Sequence, residues 1–106
     1  IEEALIAAAK PPLRVMEVIC ETIALLEEMQ VKGSRLLLSD VGCGAALSRG
    51  ALEAASHTVF VNTRSMQDRV YAASVNERAK ALMDEWIPRA EALSRHVSAH
   101  LQGEEA

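Results

Sequence analysis

Asp40 is the first side chain in this sequence whose type and setting could do chemistry, in the run Leu36-Leu37-Leu38-Ser39-Asp40. A carboxylate there could accept hydrogen bonds from ligand N–H groups or move a proton. At the start of a helix it would equally complement the helix dipole. Arg49, Glu53 and His57 follow at intervals of four. His57 can titrate near neutrality, but the spacing reads first as a solvated ion-pair ladder, each pair contributing under about 1 kcal/mol. Asn62 follows an apolar, β-branched run, Thr58-Val59-Phe60-Val61. A buried asparagine must be hydrogen-bonded, so Asn62 is expected to tie two elements together or to touch a ligand. His96 and His100 have a spacing that can bind a metal, and Glu104 follows, but no third ligand is evident and no metal site is expected. Cys20 and Cys43 form no C-x-x-C pair and no disulfide framework, which reads as reduced thiols in a cytoplasmic protein.

These residues must be positioned by the stretch from Leu36 to Arg64, which admits two incompatible readings. In one, Leu36-Leu37-Leu38 is a buried strand and Asp40-Val41-Gly42-Cys43-Gly44 is a ligand-cradling turn. That run resembles the first motif of S-adenosylmethionine-dependent methyltransferases, whose glycines let the backbone approach a nucleoside or an anion. Ala46 stands where the third glycine belongs, and a lone G-x-G is weak evidence. In the other reading the stretch is one long helix capped by the Ser39 hydroxyl. Ten residues between Gly42 and Ser56 are Gly, Ala or Ser. Arg49, Glu53, His57 and Arg64 fall on one narrow stripe, and nearly everything else is small or apolar. Such a helix is expected to be buried on most sides. Each interior glycine costs about 1 kcal/mol relative to alanine, so close packing must compensate.

The flanking segments decide between the two. Residues 1–9 read as the end of a helix, broken by Pro11-Pro12. Residues 12–32 form an amphipathic helix with Arg14, Glu17, Glu21, Glu28 and Lys32 on one stripe. Leu13, Val15, Met16, Val18, Ile19, Ile23, Leu25, Leu26 and Met29 cover most of the remainder, as expected of a helix central to a bundle or an oligomer interface. Gly33 is the expected stop. Ser65 and Asp68 have capping-box spacing. After them Val75, Ala79, Leu82, Trp86, Ala90, Leu93 and Val97 repeat at three and four. Pro88 predicts a bend at residues 84–87, and the tail from Gln102 is polar. Nothing after Arg64 reads as a strand, so the all-helical reading is preferred and a methyltransferase fragment stays as the lesser alternative. The expectation is one all-α domain over residues 1–106, a bundle of about four helices near 1–9, 12–32, 39–64 and 66–100.

Half of the residues are hydrophobic, yet Phe, Tyr and Trp occur once each. A core of Ala, Leu, Val, Ile and Met suits closely packed helices. The formal charge of −4, with no basic patch, argues against nucleic acid or an anionic membrane as partner. No apolar run is long enough to span a bilayer. The sequence opens inside a helical pattern, which reads as a piece of something longer or a processed product.

In this order the motifs resemble the formiminotransferase-cyclodeaminase family, and most closely its cyclodeaminase domain and related methenyltetrahydrofolate cyclohydrolases. The matching residues are Ala4-Leu5, Ala8-Ala9, Pro12, Gly33, Ser39-Asp40, Ala45-Ala46, Leu47, Asn62 and Asp68. The resemblance implies an all-α homodimer that binds a tetrahydrofolate derivative and needs no cofactor beyond it. Its implied reactions are loss of ammonia from 5-formimino-tetrahydrofolate and hydrolysis of the 5,10-methenyl form. It implies substrate-binding roles for Ser39, Asp40 and Asn62. The family's glycine turn and catalytic acid belong to a first half without a match here, so no catalytic residue carries over. A non-catalytic helical oligomerisation module of the same family is the alternative.

Overall fold

A computed structural model describes residues 1–103 as three long helices and no strand. Helix α1 runs Glu2–Lys32, α2 Leu38–Thr63 and α3 Arg69–Leu101, with a 3₁₀ turn at Arg35–Leu37 before α2. The all-α expectation holds, and the count of about four helices becomes three. The described chain is a rod of 54 × 18 × 16 Å, with consecutive helices antiparallel and α2 packed against both others.

The difference in count lies at Pro11-Pro12. The expected break between residues 9 and 12 does not occur, and both prolines sit inside α1. A proline at i removes the hydrogen bond to the carbonyl of i−4. Here the carbonyls deprived of a partner belong to Ala7 and Ala8, which are exposed, so water can satisfy them. Ala9 alone in this turn is buried. Pro88 likewise lies within an uninterrupted α3, and the deprived carbonyl belongs to exposed Asp84.

Two helix starts also differ from expectation. Ser39 does not cap α2. The chain leaves the extended Ser34, winds through the 3₁₀ turn and is already helical at Leu38, so Ser39 lies inside the first turn. Asp40 keeps its place near the positive helix end. Ser65 does not open α3 either. Met66 is drawn into the core beside Ala9 and Ala72, so the chain turns for a few more residues before helix resumes. Asp68 is the N-cap, its carboxylate accepting from the Tyr71 N–H at 3.0 Å. Glu2 fastens this connection to the start of α1, accepting from the N–H groups of Gln67 (2.8 Å) and Asp68 (2.9 Å). Those backbone donors hold its carboxyl below the usual carboxylate range. The Arg69 guanidinium closes the turn on the carbonyls of Thr63 and Met66.

Three apolar clusters follow one another along the rod. Ala9, Met66 and Ala72 pack at one end, and Met16, Cys20, Leu52, Val59, Val75, Ala79 and Leu82 fill the middle. Val41, Ala45, Leu93 and Val97 close the other end, with Leu26 against them. Every α3 position in the expected apolar stripe is buried except half-buried Trp86. Glycine sets how near α2 approaches its neighbours. A Cβ on Gly42 would lie 2.7 Å from Val97 Cγ1, and one on Gly44 would lie 3.1 Å from both Leu26 δ carbons. The neighbours differ in how they can yield. Val97 is buried and β-branched, stiff at χ1, whereas Leu26 is half-buried on a longer side chain.

These contacts predict opposite outcomes for two similar substitutions. Gly42→Ala should lower stability by about 1–2 kcal/mol, because overpacking outweighs the gain in helix propensity. Gly44→Ala should change it by less than about 0.5 kcal/mol, since a small shift of Leu26 offsets that gain. Urea denaturation midpoints at constant m-value measure both.

Candidate functional site

Along one side of the α2–α3 seam the surface opens into a groove. Its first hollow, about 350 Å³, lies between the start of α2 and the end of α3 and is bordered by Ser39, Gly42, Cys43, Ala46, Ser94, Val97, Ser98 and Leu101. The second, about 360 Å³, shares Ala46 and Ser94 with it and adds Arg49, Ala90, Glu91 and Arg95. The groove exists because small residues line the seam: Gly42 and Ala46 on α2, Ala90 and Ser94 on α3. One end is therefore mostly apolar with hydroxyls, and the next section is charged.

The expected ladder of Arg49, Glu53 and His57 is not what forms. Arg49 Nε reaches across the groove to Glu91 Oε2 at 3.3 Å. An Arg preceding a Glu by four is the weaker helical orientation, and a carboxylate on the facing helix takes the guanidinium instead. Glu53 and His57 border a third hollow further along the seam, about 520 Å³, with Asp84, Ser56, Phe60, Met83, Ile87 and Pro88. Two carboxylates and an imidazole over an apolar floor are groups that can carry protons. Asp84 joins them through the packing of α3 on α2, which the period of either helix alone does not reveal.

The three residues expected to bind substrate do not share one pocket. Ser39 borders the groove. Asp40 points about 100° further round α2 and is exposed on the side facing away from α3. Asn62 stands near the other end of α2, about 33 Å away along the helix axis. Its side-chain N–H donates to the Thr58 carbonyl at 2.9 Å, within its own helix. The tie between elements belongs instead to Thr63, which is buried and whose hydroxyl donates to Asn76 Oδ1 on α3 at 2.7 Å. Asn62 and Asp40 do share an edge of α2: with Leu47, Ala51 and Thr58 they fall within about 60° of the helix circumference. Beside that edge α1 exposes Val15, Val18, Thr22, Leu25 and Met29, an uncharged strip at three- and four-residue spacing. The wide apolar surface expected of α1 is thus only partly buried within the protomer.

The remaining polar clusters brace the helices. Arg89 bonds Glu27 through two nitrogens, at 2.6 and 3.0 Å, and stacks over Trp86 at 3.8 Å. Glu17 joins Arg14 and Arg78 between α1 and α3. Cys20 lies beneath them, and burial pushes its thiol up to about 11. It is a poor nucleophile. Among the described residues no three His, Cys, Asp or Glu side chains cluster as a metal site. The His96 ring lies 2.8 Å from the Gln30 amide, and Glu104 falls outside the described residues. No helix among them is long and apolar enough to cross a membrane.

The site and fold therefore define an antiparallel three-helix bundle with a ligand-sized groove along the α2–α3 seam and a mostly uncharged face on α1 and the neighbouring edge of α2. Residues 1–81 match the formiminotransferase-cyclodeaminase family, and the chain belongs to that family. Over 82 residues it is 35% identical to methenyltetrahydrofolate cyclohydrolase of Methylorubrum extorquens. The aligned stretch covers 77% of this chain and 38% of that relative.

Thr63 and Asn62 separate a structural from a solvent-side polar group. Thr63→Val should cost about 1–3 kcal/mol, because Asn76 Oδ1 loses its donor beside a buried site. Asn62→Ala should stay within about 0.5 kcal/mol of wild type. Thermal and urea unfolding of both variants gives the comparison.

Proposed function

We propose that this chain forms part of the substrate-binding wall of a tetrahydrofolate-dependent one-carbon enzyme, acting as a methenyltetrahydrofolate cyclohydrolase. What supports the reading is the family match over residues 1–81 together with the activity for which the aligned relative is named. The chain spans 38% of that relative, so the activity belongs to a larger assembly than these helices. Formiminotetrahydrofolate cyclodeamination is the second reading, favoured by the description of the matching family.

The two reactions share one ring. In hydrolysis water adds to the methenyl carbon, the bond from that carbon to N5 breaks, and 10-formyl-tetrahydrofolate and a proton are released. In cyclodeamination N10 adds to the formimino carbon and ammonia leaves, carrying the N10 proton and one more. Both need a group that moves protons at nitrogen. The role proposed for Ser39 is a hydroxyl at the folate end of the α2–α3 groove. Asp40 and Asn62 are proposed to meet substrate only where another surface covers their edge of α2. A second copy of the chain is the proposed cover, docked over Leu47 and Ala51 and the exposed valines and leucine of α1. Unpaired Cys20 and Cys43 suit a reducing compartment, and the proposed location is the cytoplasm. No cofactor beyond the folate enters the proposal.

The test is turnover by the full-length protein, followed through the methenyl chromophore. The reading predicts loss of the chromophore from 5,10-methenyl-tetrahydrofolate faster than in buffer. Appearance of it from 5-formimino-tetrahydrofolate would assign the cyclodeaminase instead. A folded protein inert toward both would leave a non-catalytic oligomerisation module as the better account.

A further inference from the structure

We infer that Arg49 and Arg95 bind the carboxylates of the substrate's glutamate tail; the inference rests on the folate reading above. The second hollow of the α2–α3 groove holds two guanidinium groups and one carboxylate, Glu91, on a chain whose formal charge is −4. Glu91 meets Arg49 at Nε, at 3.3 Å, and among the described residues no second carboxylate pairs with that guanidinium. Among the described residues no ion pair occupies Arg95. A planar guanidinium with a free edge matches a carboxylate with two parallel hydrogen bonds. Ala46 and Ala90 keep the floor of the hollow low, so a chain can lie across it.

The spacing suits a pteroylglutamate. Ser39 borders the mostly apolar end of the groove and Arg49 the charged section, ten residues apart on one helix, about 15 Å along its axis. The p-aminobenzoyl linker of a folate separates its ring system from its carboxylates over that kind of span. Arg95 borders the same section from α3. The other large hollow on this seam carries Glu53 and Asp84 and would repel a carboxylate. The tail therefore points from Ser39 toward Arg49 and passes Arg95 on the facing helix, and a further glutamate would continue past Arg49 into solvent.

Equilibrium dialysis on the full-length protein tests this with two probes, tetrahydrofolate and tetrahydropteroate, which differ by the glutamate alone. Wild type should prefer tetrahydrofolate by about tenfold, as charge-assisted bonds of this kind provide. Arg49→Gln, Arg95→Gln and the double variant should erase the preference while leaving tetrahydropteroate affinity unchanged. Lys80→Gln, an exposed cation elsewhere on α3, should retain it. Circular dichroism confirms that each variant is folded. A wild-type protein without the preference, or a preference that survives the double substitution, overturns the tail site. Binding of neither probe overturns it together with the folate reading. Selective binding without turnover would remove only the catalytic reading and leave the tail site standing.

Discussion

The close approach of α2 to its neighbours is the constraint on which the rest of the structure depends. Gly42 lets the buried Val97 side chain come within reach of the α2 backbone, and Gly44 does the same for Leu26. Interior glycines weaken a helix taken alone. At Gly42 and Gly44 dense packing on two sides returns more than propensity loses. With a side chain at Gly42 the Val97 contact would be forced apart, and the end cluster of Val41, Ala45, Leu93 and Val97 would loosen. The same small residues open the groove, so stability and ligand space come from one feature of the sequence.

That packing also sorts the surface. Helix α3 turns Arg78, Lys80, Asp84 and Glu85 outward, while α1 and α2 together leave a face whose one charge on the α2 edge is Asp40. A face of this kind asks to be covered, whereas the charged seam groove is suited to a small polar molecule. The two proposed roles, association and substrate binding, thus fall on opposite sides of α2, and Ser39 and Asp40 diverge because adjacent helical residues point about 100° apart.

Periodicity made the long elements legible. The α3 stripe from Val75 to Val97 and the polar stripe of α1 emerged as read, and the absence of any strand after Arg64 correctly weighed against the nucleotide-binding alternative. Local signals with two physical outcomes were not legible. Pro11-Pro12 reads as a break, yet exposed carbonyls at Ala7 and Ala8 make the missing hydrogen bonds tolerable. Ser65 and Asp68 have cap spacing, but burial of Met66 shifted the true cap to Asp68 itself. The candidate site was legible only in parts. Arg49, His57 and Asn62 could be singled out within α2, whereas Glu91, Asp84 and Asn76 enter through tertiary packing that one helix's sequence cannot report. The polar tie went to Thr63 rather than Asn62, because only the register of α2 on α3 decides which of two neighbours faces inward.

The central claim is that the α2–α3 groove between Ser39 and Arg95 is the wall on which a folate lies. Amide hydrogen exchange of the full-length protein, with and without saturating tetrahydrofolate, tests it most directly. The account predicts slower exchange in residues 38–49 and 90–101, with residues 14–30 unchanged. Unchanged exchange in those two segments, with protection appearing instead on α1 or around His57 and Asp84, would contradict it.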